Sequence, residues 1–166
     1  MLNISNYTKV YPGGKTAVDG LTLHVAPGEI CGFIGHNGAG KTTTLRAVVG
    51  VMSFTQGTIT IGGHDIQKEP VAAKSITAFL PDNPDLYEFM SGIGYLNLIA
   101  DLYGISARDR EARIRKYADA FGLTGDLGGA IASYSHGMKQ KLALISALIR
   151  RPSLLVLDEP FVGLDP

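Results

Sequence analysis

The sequence predicts an α/β fold with a mostly parallel sheet, an antiparallel β portion near the amino terminus and a helical subdomain. Two observations carry this prediction. A glycine-rich loop stands between an apolar run and a helical pattern, and a second apolar run ends in two acidic residues. The length of 166 residues fits one domain, and a hydrophobic share of 45% is enough for a buried core.

The composition limits the classes of partner. Fifteen basic and fifteen acidic residues give a formal net charge of zero, so no nucleic-acid partner is expected. The single cysteine, Cys31, excludes an intrachain disulfide, and its apolar neighbours predict a buried, inert thiol in a reducing, cytoplasmic compartment. The chain has no leader-like start and no apolar run near the roughly 18 residues of a spanning helix. We therefore expect a soluble chain that reaches a membrane only through a partner.

Apolar patterns predict strands in the first half of the chain. Residues 21–25 alternate apolar and polar side chains, which is typical of a half-exposed strand, and residues 58–61 repeat the pattern. Residues 30–34 are mostly apolar and are predicted to form a strand covered on both faces. A helix is predicted over residues 41–49, ended by Gly50.

The middle of the chain is predicted to be mainly helical. Helical patterns cover residues 91–103 and 106–121, and Ser106 with Asp109 forms a capping box at the start of the second. We interpret the apolar stripes of these helices as packing surfaces. The remaining predicted elements are a strand at residues 76–80, a helix at residues 137–151 and a strongly apolar strand at residues 154–157.

The glycine-rich loop fits the pattern Gly-x-x-x-x-Gly-Lys-Thr. Its glycines let the backbone curl around an anion, and the following helix adds its positive end. Lys41 is predicted to contact the β- and γ-phosphates of ATP, and the Thr42 hydroxyl to ligate Mg²⁺. A plain glycine-rich turn is the alternative, but the position between a strand and a helix favours nucleotide binding. The predicted ATP-binding residues here are Gly35, His36, Asn37, Gly38, Ala39, Gly40, Lys41, Thr42 and Thr43.

The apolar strand at residues 154–157 runs into Asp158 and Glu159. Ligands of open α/β sheets bind at the carboxyl ends of strands, where these two carboxylates would lie. Asp158 is predicted to hold Mg²⁺ through water, and Glu159 to act as general base on the attacking water. A solvated strand end is the alternative. Together with Lys41, these two residues form the predicted catalytic set.

These residues and the segment between them resemble the ATP-binding subunits of ABC transporters, over nearly the whole chain. Residues 134–140, Tyr-Ser-His-Gly-Met-Lys-Gln, are similar to the family's signature motif, usually Leu-Ser-Gly-Gly-Gln. Ser135 and Gly137 match it, whereas the residues at 134, 136 and 138 differ. Residues 163–166, Gly-Leu-Asp-Pro, are similar to the family's D-loop.

The resemblance implies roles for further residues. Tyr11 stands where the family often has an aromatic that stacks on adenine; packing is the alternative. Asp82 replaces the usual glutamine of the Q-loop, and a carboxylate can still bind Mg²⁺ or water but donates no hydrogen bond unless protonated, so its role stays open. Ser135, His136 and Gly137 would face the ATP of a second ATP-binding domain.

The resemblance also implies a P-loop NTPase core and a division of the chain. Residues 1–81 would form the β portion and the loop core, residues 82–133 a helical insertion, and residues 134–166 the signature helix, acidic strand and D-loop. In the family, another strand and a switch histidine follow the D-loop. We therefore expect this chain to be a fragment without those strands, and to hydrolyse ATP poorly by itself.

As a function, the resemblance implies an ATPase, with ATP and Mg²⁺ as cofactors, that powers transport through a separate membrane-spanning subunit. The chain would be peripheral, at the cytoplasmic face of the membrane, and would pair with a second ATP-binding domain as a homo- or heterodimer. Two alternatives share the motifs. One is a soluble ABC ATPase that acts on nucleic acid or the ribosome. The other is a nucleotide-binding module without turnover, against which Glu159 argues.

Overall fold

The structure, a computed structural model, describes residues 1–159 and has the predicted α/β class. The described backbone forms two compact units. The first comprises residues 1–78 and 152–156, and the second comprises residues 79–151 together with the described residues from 157 onward. The division into residues 1–81, 82–133 and 134–166 stays a prediction.

An antiparallel sheet of four strands, in the order β2-β1-β3-β4, dominates the first unit. Its strands are β1 (Leu2–Val10), β2 (Thr16–Val25), β3 (Gln56–Ile61) and β4 (His64–Asp65). In the central strand, Leu2 lies opposite Val25 on one side and Ile61 on the other. Leu2, Ile4 and Tyr7 are buried, and a register shift between Ile4 and Tyr7 accounts for the break in the alternation. The strands predicted at residues 21–25 and 58–61 are confirmed within β2 and β3.

Two helices belong to the first unit: α1 (Lys41–Val48) and the short α2 (Pro70–Ser75). The helix predicted at residues 41–49 is confirmed, because α1 has Val49 as its C-cap and is followed by Gly50 with φ 70°. Ala47 and Val48 bury the inner face of α1.

The strand predicted at residues 30–34 is wrong. This segment has no regular structure, and Ile30 and Ile34 are 102% and 96% exposed. Cys31, predicted to be buried, is exposed as well. A strand covered on both faces needs neighbours in a sheet, and within residues 1–159 no strand pairs with this segment. The apolar run therefore has no sheet interior to enter.

A parallel pair is formed by β5 (Thr77–Leu80) and β6 (Leu154–Leu157), which confirms the strands predicted at these places. The Leu154 N–H donates to the Ile76 carbonyl at 3.1 Å, and the Asp158 N–H donates to the Leu80 carbonyl at 2.9 Å. Both partners advance by four residues in the same direction, so the strands are parallel.

Three α-helices belong to the second unit: α3 (Gly92–Leu102), α4 (Ala107–Ala120) and α5 (His136–Leu148). Each begins at a serine whose hydroxyl accepts a hydrogen bond at 3.2 Å from the N–H three residues later. Of the two hydrogen bonds of the capping box predicted at Ser106, the bond from the Asp109 N–H to the Ser106 hydroxyl is present. The Asp109 carboxylate instead accepts from Arg113 at 2.8 Å. The capping serines are Ser91, Ser106 and Ser135.

The apolar stripes of these helices meet in one core, as predicted. The core residues, contributed by the three helices and the turns between them, are Leu96, Ala100, Ile114, Ala118, Leu123, Leu127, Ile131, Tyr134, Leu142, Ile145 and Ile149. Within residues 1–159, no helix has the length and apolar character needed to cross a membrane.

One close contact in this core involves Gly92 and Tyr134. A Cβ added at Gly92 would overlap the Tyr134 hydroxyl, which donates to the Asp126 carbonyl at 2.6 Å. Burial, and secondarily the Asp126 carboxylate, raises the pKa of Tyr134, so the hydroxyl remains a donor at neutral pH. The start of α3 can therefore lie against the ring only while position 92 lacks a side chain.

We expect Gly92→Ala to lower the free energy of unfolding by about 1–3 kcal/mol, the usual cost of overpacking. The control is Gly125→Ala, because a Cβ there meets nothing within 4 Å. Chemical denaturation would measure both. Adding Tyr134→Phe removes the overlapping oxygen and should recover part of the loss caused by Gly92→Ala. Equal stabilities of the Gly92→Ala and Gly125→Ala variants would contradict this account.

Candidate functional site

The glycine-rich loop leads directly into α1. Gly38 and Gly40 have φ values of 84° and 87°, a left-handed conformation that strains any other residue. The Ala39 N–H donates to the His36 carbonyl at 3.1 Å and closes a turn between them. Gly40 is buried, whereas the preceding predicted contacts are exposed: Gly35, His36, Asn37, Gly38 and Ala39.

Lys41, the first residue of α1, reaches back across this loop. Its Nζ donates to the Gly35 carbonyl at 2.6 Å and to the His36 carbonyl at 3.2 Å. These carbonyls are neutral, so they orient the ammonium without neutralising its charge. The loop therefore presents a fixed positive charge beside the amino-terminal end of a helix, which is an arrangement that attracts phosphate.

The start of α1 is seated closely on β2. A Cβ added at Gly40 would lie 2.5 Å from the Ala17 carbonyl oxygen and 2.8 Å from Val18 Cγ2. The Gly40 carbonyl accepts from both the N–H and the hydroxyl of Thr44, at 2.8 and 2.9 Å. Sequence reasoning missed Ala17 and Val18 as supports of the loop, because the contact joins residues more than twenty positions apart.

Tyr11 is half-buried, and its hydroxyl is tied to α1. The Tyr11 oxygen lies 3.2 Å from Thr43 Oγ1, and Lys9 Nζ lies 5.3 Å from the centroid of the ring. The neighbouring Tyr7 hydroxyl donates to the Thr43 carbonyl at 3.5 Å. Burial, followed by the nearby Tyr11, raises the pKa of Tyr7 to about 12 and keeps it protonated. Both tyrosines thus brace the turn of α1 that carries the predicted ligands Thr42 and Thr43.

The loop fits a bound triphosphate. Gly40 occupies the N-cap position of α1 and has no side chain to accept hydrogen bonds there, so acceptors on a ligand can take that place. Residues 1–159 contain no group of three or more His, Cys, Asp or Glu side chains that could hold a metal. Mg²⁺ at nucleotide sites is bound by phosphates with one or two protein oxygens, and the Thr42 hydroxyl supplies an oxygen of this kind.

In the second unit, the predicted acidic pair follows β6. Asp158 is 5% exposed, and its backbone bond to Leu80 extends the parallel register by one residue. Glu159 is exposed, with φ 49°. The two carboxylates thus lie at the carboxyl end of β6, as predicted. The predicted D-loop, residues 163–166, lies outside the described residues.

The signature segment forms the start of α5. The Ser135 hydroxyl accepts from the Met138 N–H at 3.2 Å and so caps the helix. Ser135 and His136 are exposed and Gly137 is half-buried, whereas Tyr134 is buried in the core. The residues predicted to face a second nucleotide therefore lie at an accessible helix amino terminus.

Asp82 is exposed in the loop that follows β5, and its carbonyl accepts from Gln140 Nε2 at 3.3 Å. Sequence reasoning missed Gln140. The available signal was its spacing on the helix. Ala143 and Ala147 follow Gln140 by three and seven residues, so the three side chains share one buried face of α5. The first unit thus carries the loop residues with Tyr11, and the second carries Asp82, the signature residues and the acidic pair.

Comparison with known proteins gives a consistent assignment. The sequence pattern of the family described as ABC transporter matches residues 18–162. The uncharacterized ABC transporter ATP-binding protein YhcH of Bacillus subtilis (strain 168) is 39% identical, over 100% of this chain and 53% of that protein. The linearmycin resistance ATP-binding protein LnrL of the same organism is 36% identical, with the same coverage. The chain thus spans about half the length of these relatives.

Two solved structures are similar in fold. The structure of an ATP binding subunit of an ABC transporter has a TM-score of 0.93 and 34% identity, covering 100% of this chain and 69% of that one. The dimeric, post-hydrolysis structure of the ATP-binding cassette MJ0796 bound to ADP and Pi has a TM-score of 0.88. Its identity is 21%, with 99% of this chain and 76% of that one covered, so it supports the fold alone.

We expect Gly40→Ala to destabilise the chain and to weaken MgATP binding, because the new Cβ must push α1 and its loop away from β2. The control is Gly28→Ala, which has a similar φ of 80° but no atom within 4 Å of an added Cβ. Both variants carry the strain of a left-handed residue, about 1–2 kcal/mol, and only Gly40→Ala adds a clash. Denaturation and titration calorimetry would compare them. Equal losses would show that the seating on β2 is unimportant.

Proposed function

We propose that this chain, which belongs to the ABC transporter family, binds and hydrolyses ATP to power transport through a separate membrane-spanning subunit. The observation that carries the proposal is the Lys41 ammonium, held by the Gly35 and His36 carbonyls at the start of α1. A cation fixed there favours a polyphosphate ligand. The amino-terminal end of the helix adds a partial positive charge, and the loop adds backbone N–H donors.

In this proposal, the residues of the loop bind the phosphates and Tyr11 binds the base. Lys41 contacts the β- and γ-phosphates, and the backbone N–H groups of the loop and of the first turn of α1 surround them. The exposure of residues 35–39 is consistent with access for a ligand. Tyr11 offers an aromatic ring held in place through Thr43, and adenine would stack on the ring.

Three oxygen-bearing side chains are proposed as magnesium contacts: Thr42, Asp158 and Asp82. Mg²⁺, when bound with ATP, neutralises charge that develops on the phosphates during transfer. Thr42 follows Lys41 at the start of α1 and contributes a hydroxyl. The buried carboxylate of Asp158 acts through water, and the exposed carboxylate of Asp82 replaces the amide of the usual glutamine.

Glu159 is the proposed general base. It is exposed directly after the buried Asp158, so its carboxylate can accept a proton from a solvent molecule. In this role Glu159 orients the attacking water and takes up its proton. Asp158, by contrast, is buried and has a backbone bond to Leu80, so it is suited to hold Mg²⁺ through water and not to take a proton from solvent.

The amino terminus of α5 is proposed to contact the ATP of a second ATP-binding domain. Ser135 and His136 are exposed there, and the 13 residues of α5 provide a helix dipole directed at an anion. Each ATP would then lie between the loop of one domain and Ser135, His136 and Gly137 of the other.

The membrane partner is proposed from the relatives, which are described as ABC transporter ATP-binding proteins. The described residues contain no helix able to cross a membrane. In the proposal, a separate spanning subunit carries the transported substrate, and this chain is a peripheral component at the cytoplasmic face. The zero net charge gives no reason to expect a nucleic-acid partner.

We expect Lys41→Ala to weaken MgATP binding by about 1.5–3 kcal/mol, the value of hydrogen bonds to charged groups, without loss of the fold. Titration calorimetry on the full-length protein would measure it, with circular dichroism to verify folding. The control is Lys68→Ala, which removes an exposed lysine outside the loop. An affinity of the Lys41→Ala variant equal to that of the control would remove the main support for the phosphate site.

We expect Glu159→Gln, in the full-length protein, to keep MgATP binding and to lose turnover by about 10²–10⁴-fold, the usual contribution of a general base. Glutamine preserves the shape of the side chain but accepts no proton. Glu111→Gln, the same change at an exposed position of α4, is the control for a steady-state ATPase assay. Near-normal turnover in Glu159→Gln would assign the base to another residue.

A further inference from the structure

Lys9 places its ammonium group over one face of the Tyr11 ring. Lys9 belongs to the end of β1, and Tyr11 directly follows that strand. The Lys9 Nζ lies 5.3 Å from the centroid of the ring, within the range of about 6 Å for a cation–π contact. The same ammonium donates to the Ser53 carbonyl at 2.6 Å. A backbone group therefore holds the cation over the ring.

Other contacts hold the two ends of the Tyr11 residue. At the backbone, the Tyr11 N–H donates to the Lys15 carbonyl at 2.9 Å. At the far end, the hydroxyl lies 3.2 Å from Thr43 Oγ1 and donates to Met52 Sδ at 3.6 Å. The hydroxyl oxygen lies on the axis about which the ring turns, so these contacts do little to fix the plane of the ring. Of the contacts named, that of Lys9 depends most on the direction of the ring face.

The bond from Lys9 to Ser53 is not needed to attach the segment after α1. The Thr55 N–H donates to the Thr8 carbonyl at 3.0 Å, and the Thr55 hydroxyl accepts from the Val10 N–H at 3.1 Å. These two bonds already join the segment to the end of β1. Ser53 is exposed, so water can bind its carbonyl if the lysine is removed. A role in stability alone therefore gives little reason for a cation at position 9.

The direction of the ring face determines whether Tyr11 can bind a base. Stacking requires two nearly parallel planes, and Lys9 covers one face of the ring, which assigns the base to the opposite face. The ammonium also attracts the negative charge of the ring towards itself. The opposite face then repels the π electrons of a base less strongly.

We propose that Lys9 is a positioning residue that orients the Tyr11 ring for stacking on the base of the nucleotide. This inference rests on the proposed function, because it concerns the same nucleotide site. Lys9 acts through Tyr11 and is not a phosphate contact, a task that the proposed site gives to Lys41 and the loop. The contribution of Lys9 to affinity is therefore confined to ligands that carry a base.

Titration calorimetry on the full-length protein tests the inference by comparing MgATP with inorganic tripolyphosphate and Mg²⁺, which has no base. Lys9→Met should weaken MgATP binding by about two- to fivefold, the size of an exposed cation–π contact, and leave tripolyphosphate binding unchanged. Lys9→Arg keeps a cation and should retain the wild-type affinity. In a Tyr11→Ala background, Lys9→Met should have no further effect, because the ring is absent. Lys68→Met, the same change at an exposed position, is the control and should match the wild type for both ligands.

Several outcomes would overturn the inference. These are an unchanged affinity of Lys9→Met for MgATP, equal losses for both ligands, an equal loss in Lys9→Arg, or a further loss in the Tyr11→Ala background. Should Lys9→Met fail to fold, Lys9→Gln keeps a donor for the Ser53 carbonyl without the charge, and it must show the same selective loss.

The wild type separates this inference from the proposed function. If it binds MgATP more tightly than tripolyphosphate and Lys9→Met keeps that preference in full, the inference alone fails. If it binds the two ligands equally, the base contributes nothing, and the inference fails together with the role of Tyr11 while the phosphate site stands. If it binds neither ligand, the inference and the proposed function both fail.

Discussion

The glycine-rich loop depends on the close approach of Gly40 to β2. Only a residue without a side chain leaves room for the Ala17 carbonyl and Val18, and the two bonds from Thr44 then hold the Gly40 carbonyl. With the helix start fixed in this way, Lys41 points back to the loop carbonyls. The glycine is therefore needed both for its backbone conformation and for the space that it leaves.

Local signals in the sequence were sufficient to predict most elements. The starts of α3, α4 and α5 are set by serines that cap their own helices, so the helices begin and end within a few residues of the predicted bounds. The alternation at residues 21–25 and 58–61 likewise reflects one buried face of each strand. The glycine-rich loop and the acidic pair could be proposed as a site because their spacing has a direct chemical reason.

Contacts between distant parts of the chain could not be predicted in this way. Residues 30–34 are apolar without a period, and such a run indicates burial only where neighbouring strands cover it. The contacts that support the proposed site also join residues distant in sequence. Ala17 contacts Gly40, and Gln140 contacts Asp82, which lies 58 residues away. Nothing in the local pattern of either partner specifies the other.

The departures from the family motifs can be separated by burial. Tyr134, where the family usually has leucine, is buried, and its extra hydroxyl is accommodated by Gly92 and by the Asp126 carbonyl. That change is absorbed within the core, so Ser135 still caps α5.

Asp82 is exposed, and its side chain differs from glutamine in charge and in donor capacity. Because the backbone of Asp82 is held by Gln140, the substitution changes the chemistry presented by the loop while leaving its attachment to α5 in place. The first departure therefore affects folding, and the second changes a residue of the proposed nucleotide site.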